Sequence, residues 1–166
     1  MTAAHAGAAI LVIGITVSGG WQKQELSIIN PGDSVDIGAY KFTLTGVRNV
    51  PGENYTAMTG TFDVYRNGKL VTTMTPSVRH FTVPPMDTTE AAIYTMATGD
   101  LYAVIGKSEA GGYATRLYWK PLVTWIWGGA LIMALGGALS LSDRRHRVGA
   151  PVRKAVRGAK AAASAA

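Results

Sequence analysis

Histidine is the residue type in this chain best suited to metal binding or proton transfer, and it occurs at three distant positions, His5, His80 and His146. An imidazole can ligate iron, carry a proton or form a hydrogen bond between helices. His80 has no cysteine or other histidine close to it in the sequence, so we do not expect a metal site around it. The chain has no cysteine at all, which excludes disulfide bonds and thiolate metal ligands.

Acidic residues, which could act as general acids or bases, are scattered singly through the middle of the chain. They include Asp33, Asp36, Glu53, Asp63, Asp87, Glu90, Asp100 and Glu109. No two of them have the spacing of a catalytic pair, although the fold could bring distant ones together. Motifs for a nucleophile elbow, a phosphate loop or a dinucleotide-binding turn are missing from the sequence. We therefore assign no catalytic residue.

His5 lies in a segment without charged residues, 1–20, whose apolar core runs from Ala6 to Val17. A secretory signal peptide would begin with basic residues, and this segment has none. We interpret 1–20 as a transmembrane helix, whose many small residues suit the interior of a larger helix bundle. An ionisable side chain in such a helix is costly and usually functional. The alternative is that His5 merely sits at the membrane interface.

A second apolar segment, 121–142, contains twenty consecutive uncharged residues from Leu122 to Leu141. A helix of about twenty residues crosses the roughly 30 Å hydrocarbon layer of a bilayer. Trp119, Trp125 and Trp127 cluster at its start, as in an interfacial aromatic belt. The alternative is a buried helix in the core of a soluble protein. For contact with other helices this segment offers two Gly-Gly pairs and the small residues Ala130, Ala134 and Ala138.

The net charge of +6 comes from the C-terminal tail, which has seven basic residues and one acidic residue after Ser142. Basic residues next to a membrane span face the cytoplasm and attract anionic lipid. We therefore expect a cytoplasmic C-terminus and a middle domain on the outer side of the membrane. Nucleic-acid binding is not predicted, because the basic residues form no patterned face with interleaved aromatics.

The middle of the chain has the composition of a small β domain, either a sandwich or a barrel. Asn67-Gly68 predicts a type I′ hairpin turn between two of its strands. Residues 88–96 are ambiguous between helix and strand. Strands are predicted at 34–37, 40–47, 55–66, 69–74, 78–83, 101–105 and 113–118. The complete division is a helix (1–20), a β domain (21–120), a second helix (121–142) and a basic tail (143–166).

Several short motifs, in this order, resemble the C-terminal part of the CcmF family of cytochrome c-type biogenesis proteins. They are Ala4-His5-Ala6-Gly7, Gly32-Asp33-Ser34-Val35-Asp36-Ile37 with Tyr40-Lys41-Phe42, Thr89-Glu90-Ala91-Ala92-Ile93, Asp100-Leu101-Tyr102, Arg116-Leu117-Tyr118 with Lys120-Pro121-Leu122-Val123-Thr124-Trp125-Ile126-Trp127-Gly128-Gly129, Gly136-Gly137 and Asp143-Arg144-Arg145. The resemblance spans residues 1–147, and the tail after Val148 carries no family information.

The resemblance implies a cofactor as well as a fold. In the family, a b-type haem lies in the membrane between two histidines on different helices, and one of them opens the helix before the periplasmic β domain. His5 matches that histidine, which makes it an axial ligand of haem iron. The second ligand is expected outside this chain, because His80 and His146 lie outside the two helices. The family's Trp-rich haem-binding motif is also absent here and is expected upstream.

The function implied is that of the C-terminal part of a haem lyase in the bacterial inner membrane, with the β domain in the periplasm. Such a lyase takes haem from a haem chaperone and attaches its vinyl groups to the thiols of a Cys-x-x-Cys-His motif in apocytochrome c. The partners implied are the rest of CcmF, other cytochrome c maturation subunits, the chaperone, apocytochrome c and membrane lipid. This piece alone is not expected to be catalytic. The alternative is a membrane-tethered β domain that serves as an interaction scaffold without ligating haem.

Overall fold

Two long helices flank a set of ten strands in the computed structural model, which describes residues 2–109 and 111–142. In chain order the elements are α1 (Thr2–Gly20), β1 (Lys23–Ile29), β2 (Ser34–Ile37), β3 (Tyr40–Pro51), β4 (Tyr55–Arg66), β5 (Lys69–Met74), β6 (Ser77–Thr82), β7 (Pro85–Glu90), β8 (Ala92–Met96), β9 (Gly99–Glu109), β10 (Gly112–Pro121) and α2 (Val123–Ser142). The basic tail lies outside the described residues.

The strands form two antiparallel sheets that pack face to face. One sheet has the order β1-β10-β9-β8, and the other has the order β2-β3-β4-β6-β7 with β5 paired to β4. Alternate residues of each strand point into the space between the sheets, where the largest fully buried side chains lie. These are Phe42, Phe62, Leu44, Leu101, Ile105, Leu117, Val64 and Pro76. Of the two forms predicted for the β domain, the sandwich is therefore right.

The predicted hairpin at Asn67-Gly68 is confirmed. Asn67 has φ 51° and Gly68 has φ 74°, the two positive angles that a type I′ turn requires. The turn sets Arg66 opposite Lys69 and so fixes the register between β4 and β5.

Two parts of the sheet assignment needed correction. The strand β1 was not predicted, because it is an edge strand in which Ile29 is the single buried residue. The ambiguous segment 88–96 is not helical but contributes to two strands, β7 and β8. Pairing with β6 and β9 decides this, since Val78 lies opposite Thr89 and Tyr94 lies opposite Leu101.

Both helices expose most of their large apolar side chains. Those with more than half of their surface exposed are Val12, Ile13, Ile15, Trp127, Leu131, Leu135, Leu139 and Leu141. A core helix of a soluble protein would bury such residues, so the soluble alternative for 121–142 does not fit this structure. Each helix has the length and apolar composition needed to cross a membrane.

Candidate functional site

The two helices pack with their backbones in contact along a face made of glycines. A Cβ atom on Gly129 would lie 2.5 Å from the backbone nitrogen of Leu11 and 2.7 Å from the carbonyl oxygen of Gly7. A Cβ atom on Gly136 would lie 2.6 Å from the backbone nitrogen of Ala4. Only glycine fits where two helix backbones approach this closely.

The expected close helix contact is present, and one glycine from each of the two Gly-Gly pairs makes it on α2, whereas the alanines that the sequence also offered do not. Gly129 and Gly136 are seven residues apart, as are Gly7 and Gly14. Seven residues bring a helix back to within about 20° of the same direction, whereas each four-residue step drifts by about 40°. The alanines at four-residue spacing therefore leave the contact face, and the structure half-buries or exposes Ala130, Ala134 and Ala138.

His5 lies on the side of α1 that faces away from α2. Successive helix residues turn by about 100°, so His5 is about 200° round from Gly7 and about 180° from Gly14. The burial pattern agrees, because both glycines are buried and His5 is exposed. His80 lies in β6 of the sandwich, and His146 lies outside the described residues. The described part of the chain therefore places one histidine on a helix.

Two small residues neighbour His5 on the exposed side of α1. Ala6 follows it directly, and Ala9 lies one turn further on the same side. Both are exposed and neither carries a side chain beyond Cβ, so they leave space on the helix surface beside the imidazole. Within residues 2–109 and 111–142 no group of three or more histidine, cysteine or acidic side chains could hold a metal ion. A metal bound at His5 would therefore need a further ligand from elsewhere.

Hydrogen bonds fix the start of α2 to the sandwich. The hydroxyl of Thr124 donates to the carbonyl of Met96 at 2.9 Å, and the indole N–H of Trp125 donates to the carbonyl of Ala97 at 2.8 Å. The N–H of Leu122 donates to the carbonyl of Thr98 at 3.2 Å. Three consecutive carbonyls, from the last residue of β8 into the turn before β9, thus accept bonds from the start of α2. The helix pair and the sandwich are coupled at this junction.

The three tryptophans predicted to form an interfacial belt differ from one another in their surroundings. Trp125 and Trp127 are exposed at the start of α2, where Trp21 is also exposed just after α1. Trp119 instead packs in the sandwich, with its ring centroid 6.2 Å from that of Tyr40. Exposed indoles at the sandwich end of both helices fit the polar boundary of a bilayer.

The sandwich contains a charged cluster that the sequence did not reveal. Asp87 on β7 contacts the imidazole of His80 on β6 and the ammonium of Lys107 on β9, both at 2.5 Å. The hydrogen bond from Lys107, followed by that from His80, holds the pKa of Asp87 below its usual value. The cluster borders an open cleft of about 350 Å³ between the two sheets, together with Met58, Val78 and Ser108.

One signal in the sequence could have found half of this cluster. A hairpin centred on Val83-Pro84 sets His80 opposite Asp87, which is the observed register. Lys107 comes from the other sheet, so only the packing of β9 against β6 and β7 brings it in. The cluster joins the two sheets by charge-assisted hydrogen bonds.

Comparison with known proteins follows the same division of the chain. The model of a family described as the CcmF C-terminal beta-sandwich matches residues 20–121. The cytochrome c-type biogenesis protein ccl1 of Rhodobacter capsulatus is 44% identical over 153 residues, which are 92% of this chain and 23% of that protein. CcmF of Escherichia coli is 43% identical over 148 residues, 89% of this chain and 23% of that protein.

A solved structure titled cytochrome c heme lyase CcmF aligns with a TM-score of 0.65, over 84% of this chain and 24% of that chain. At 20% sequence identity this likeness shows the fold alone. The chain spans just under a quarter of the length of the curated relatives. The predicted fold class, two membrane-spanning helices that flank a small β domain, is confirmed.

Proposed function

The chain belongs to the CcmF family of cytochrome c-type biogenesis proteins, and we propose that it works as the C-terminal part of a cytochrome c haem lyase. In this role α1 provides one axial ligand, His5, to a b-type haem within the membrane. The sandwich serves assembly of the lyase while haem is attached to apocytochrome c. Since the chain spans under a quarter of its relatives, the attachment reaction itself depends on the remainder of the lyase.

The orientation of His5 is the observation that carries this proposal. The glycine face of α1 is occupied by α2, and His5 points to the opposite side, where a bundle of further helices would pack. The side chains of Ala6 and Ala9 end at Cβ, which would let a macrocycle approach the helix on that side. A histidine that merely sat in the helix contact with α2 would have no room for a cofactor.

The chain's own residues would hold the haem and set its position. One ring nitrogen of His5 must be unprotonated to bind iron. When bound, a bis-histidine haem supplies electron transfer without an open coordination site for oxygen. The second histidine would come from the remainder of the lyase. The glycine contact and the junction at Thr124 and Trp125 would keep α1 at a fixed position relative to the sandwich.

The interaction-scaffold alternative remains the second candidate function. The observation that favours it is the polar cluster of His80, Asp87 and Lys107, which links the two sheets of the sandwich. Under this alternative the sandwich would hold partners such as apocytochrome c or other maturation subunits, and His5 would ligate nothing. The two candidates differ in whether haem content depends on His5.

Removal of this segment should abolish cytochrome c maturation. Cells whose lyase lacks the equivalent of residues 1–166 should lose covalent haem from their c-type cytochromes, because both a haem ligand and the sandwich are missing. Haem-stained gels of membrane and periplasmic fractions measure this, and a plasmid that supplies the complete lyase is the control. Undiminished c-type cytochromes in the deletion strain would refute the assignment to haem attachment.

The membrane topology follows from the charge of the tail. Reporter fusions after Thr45, in the sandwich, should be active in the periplasm, and fusions after Arg153, in the tail, should be active in the cytoplasm. A phosphatase reporter and a cytoplasmic fluorescent reporter at both positions give complementary signals. A cytoplasmic signal at Thr45 would reverse the proposed orientation.

A further inference from the structure

The sheet β1-β10-β9-β8 carries exposed apolar side chains on its outer face, in addition to the buried ones on its inner face. Outward-pointing Leu26, Ile28 and Ile93 are each at least 50% exposed. The register places Leu26 beside Arg116 and Val104, and it places Ile28 beside Ala114. An antiparallel sheet with one solvated face normally alternates apolar side chains inward with polar ones outward.

The other sheet provides the comparison within the same molecule. On its outer face one row is polar, with Ser34, Thr43, Asp63 and Thr73 as neighbours, and the next row begins with Asp36 and Lys41 and continues into Tyr65 and the exposed Leu70. Hydrogen bonds join several of them, for example from the hydroxyl of Thr73 to the carboxylate of Asp63 at 2.6 Å. Polar side chains therefore predominate around Asp63 on the polar face, whereas exposed apolar side chains predominate around Leu26 on the other sheet.

The apolar side chains form one connected surface, which we call the apolar outer face. It consists of Leu26, Ile28, Ile93, Val104 and Ala114, with the rings of Tyr102 and Tyr118 at the end nearest the helices. A groove of about 220 Å³ crosses it between Leu26 and Val104. Apolar surface that is continuous rather than scattered marks a place that another molecule covers.

Arg116 puts an unbalanced positive charge in the middle of this face. It is exposed, and among the described residues no salt bridge includes it. Lys120, the other cation on this side, lies over the tyrosine rings, 4.9 Å from the centroid of Tyr102 and 5.4 Å from that of Tyr118. A partner that covers this face would therefore present apolar side chains and a carboxylate opposite Arg116.

The position of the face in the chain indicates which partner this is. The same sheet is joined to both helices, since β1 follows α1 and β10 leads through Leu122 into α2. It is thus the sheet held closest to any bundle that packs around the helices. The relatives are more than four times the length of the matched segment, so most of the family's polypeptide lies in the same assembly but outside this chain.

We propose that the apolar outer face binds the remaining part of the family-length lyase, through an apolar segment that carries a carboxylate opposite Arg116. The proposal rests on the proposed membership in a lyase assembly, but it does not depend on haem ligation by His5. This contact would hold the sandwich at a fixed orientation relative to the membrane helices. The hydrogen-bonded start of α2 would be the second attachment.

Cysteine labelling tests the proposal, because the chain has no natural cysteine. The Leu26→Cys and Ile28→Cys variants are compared with Thr43→Cys on the polar face, in three preparations. These are the chain alone in detergent, the chain alone in lipid vesicles, and membranes that contain the complete lyase. A water-soluble maleimide is added, and labelling is read by mass spectrometry of the peptide that carries the cysteine.

The apolar positions should be labelled in both preparations of the chain alone. In the complete lyase their labelling should fall by at least about tenfold, as expected for the water-excluded centre of an interface. The Thr43→Cys variant should be labelled equally in all three. Equal labelling of the apolar positions in the complete lyase would overturn the proposal. So would protection in vesicles alone, which indicates lipid, or protection in detergent, which indicates a second copy of the chain.

Charge reversal tests the role of Arg116 separately. Arg116→Glu in the complete lyase should restore labelling of the Leu26→Cys variant, whereas Arg116→Lys should not. Lys41→Glu is the matched reversal on the polar face and should leave protection intact. If protection survives Arg116→Glu, the predicted carboxylate is wrong and the proposal fails in that form. Haem content measured on the same samples reports on His5 independently, so the two proposals can fail separately.

Discussion

Replacing Gly129 by leucine should break the contact between the two helices. The first side-chain atom would already lie 2.5 Å from the backbone nitrogen of Leu11 and 2.7 Å from the carbonyl oxygen of Gly7. Backbone atoms of a helix cannot rotate away as side chains do, so the helices must move apart. Overpacking typically costs about 1–3 kcal/mol, and we expect a loss at the upper end, about 3 kcal/mol. This predicts a fall in the melting temperature of the detergent-solubilised chain.

The neighbouring glycine provides a matched control for this change. A Cβ atom on Gly128 would meet nothing within 4 Å, so Gly128→Leu makes the same substitution on the same helix without the clash. Gly136→Leu and Gly137→Leu form a second pair, since only Gly136 contacts α1. Calorimetry or circular dichroism in micelles would measure both pairs. Equal melting temperatures within each pair would show that the glycine contact does not hold the helices together.

The helices and part of the sandwich could be predicted because their signals are local. A run of twenty uncharged residues defines α2, and Asn67-Gly68 defines a turn by the positive φ angles that it favours. These features depend on a few adjacent residues and on nothing elsewhere in the chain. They can therefore be recognised in the sequence without knowledge of the tertiary fold.

The missed elements depend on contacts between distant residues. The strand β1 carries charges and one buried residue, Ile29, so its identity comes from pairing with β10 about ninety positions away. The two strands within 85–96 are likewise fixed by β6 and β9. Composition also could not tell which small residues of α2 face α1, because alanine and glycine both suit a close contact.

The candidate site also combines a feature that the sequence indicates with features that only the fold shows. The family motif around Ala4-His5-Ala6-Gly7 pointed to His5 from the sequence. Its direction relative to α2 became known only once the contact of Gly7 and Gly14 with α2 was defined. The cluster of His80, Asp87 and Lys107 was missed, since it combines strands of two sheets.

Replacing His5 by alanine should deplete the intramembrane haem of the complete lyase and reduce cytochrome c maturation. If His5 is one of two nitrogen ligands, its loss would leave the haem iron more weakly held and shifted in potential. Removing even a residue that only supports a metal ligand costs roughly 10–100-fold in affinity or activity, so haem content should fall by at least about tenfold. His5→Gly should behave in the same way, because neither residue offers a ligand.

Two control variants separate ligation from disturbance of the helix. Thr16 lies three turns along α1 on the same side as His5, so Thr16→Ala alters the same surface without removing an imidazole. His146→Ala removes a histidine from the basic tail. Both variants should keep a normal haem content and support maturation.

The reduced-minus-oxidised visible spectrum of the purified complete lyase carrying His5→Ala, recorded with and without added imidazole, tests the central claim most directly. The account predicts that the b-type haem signal is largely lost and that imidazole partly restores both the signal and maturation, since a vacated ligand position can admit the free base. A spectrum and a haem-to-protein ratio equal to those of the unaltered lyase, without imidazole, would contradict the claim that His5 is an axial ligand.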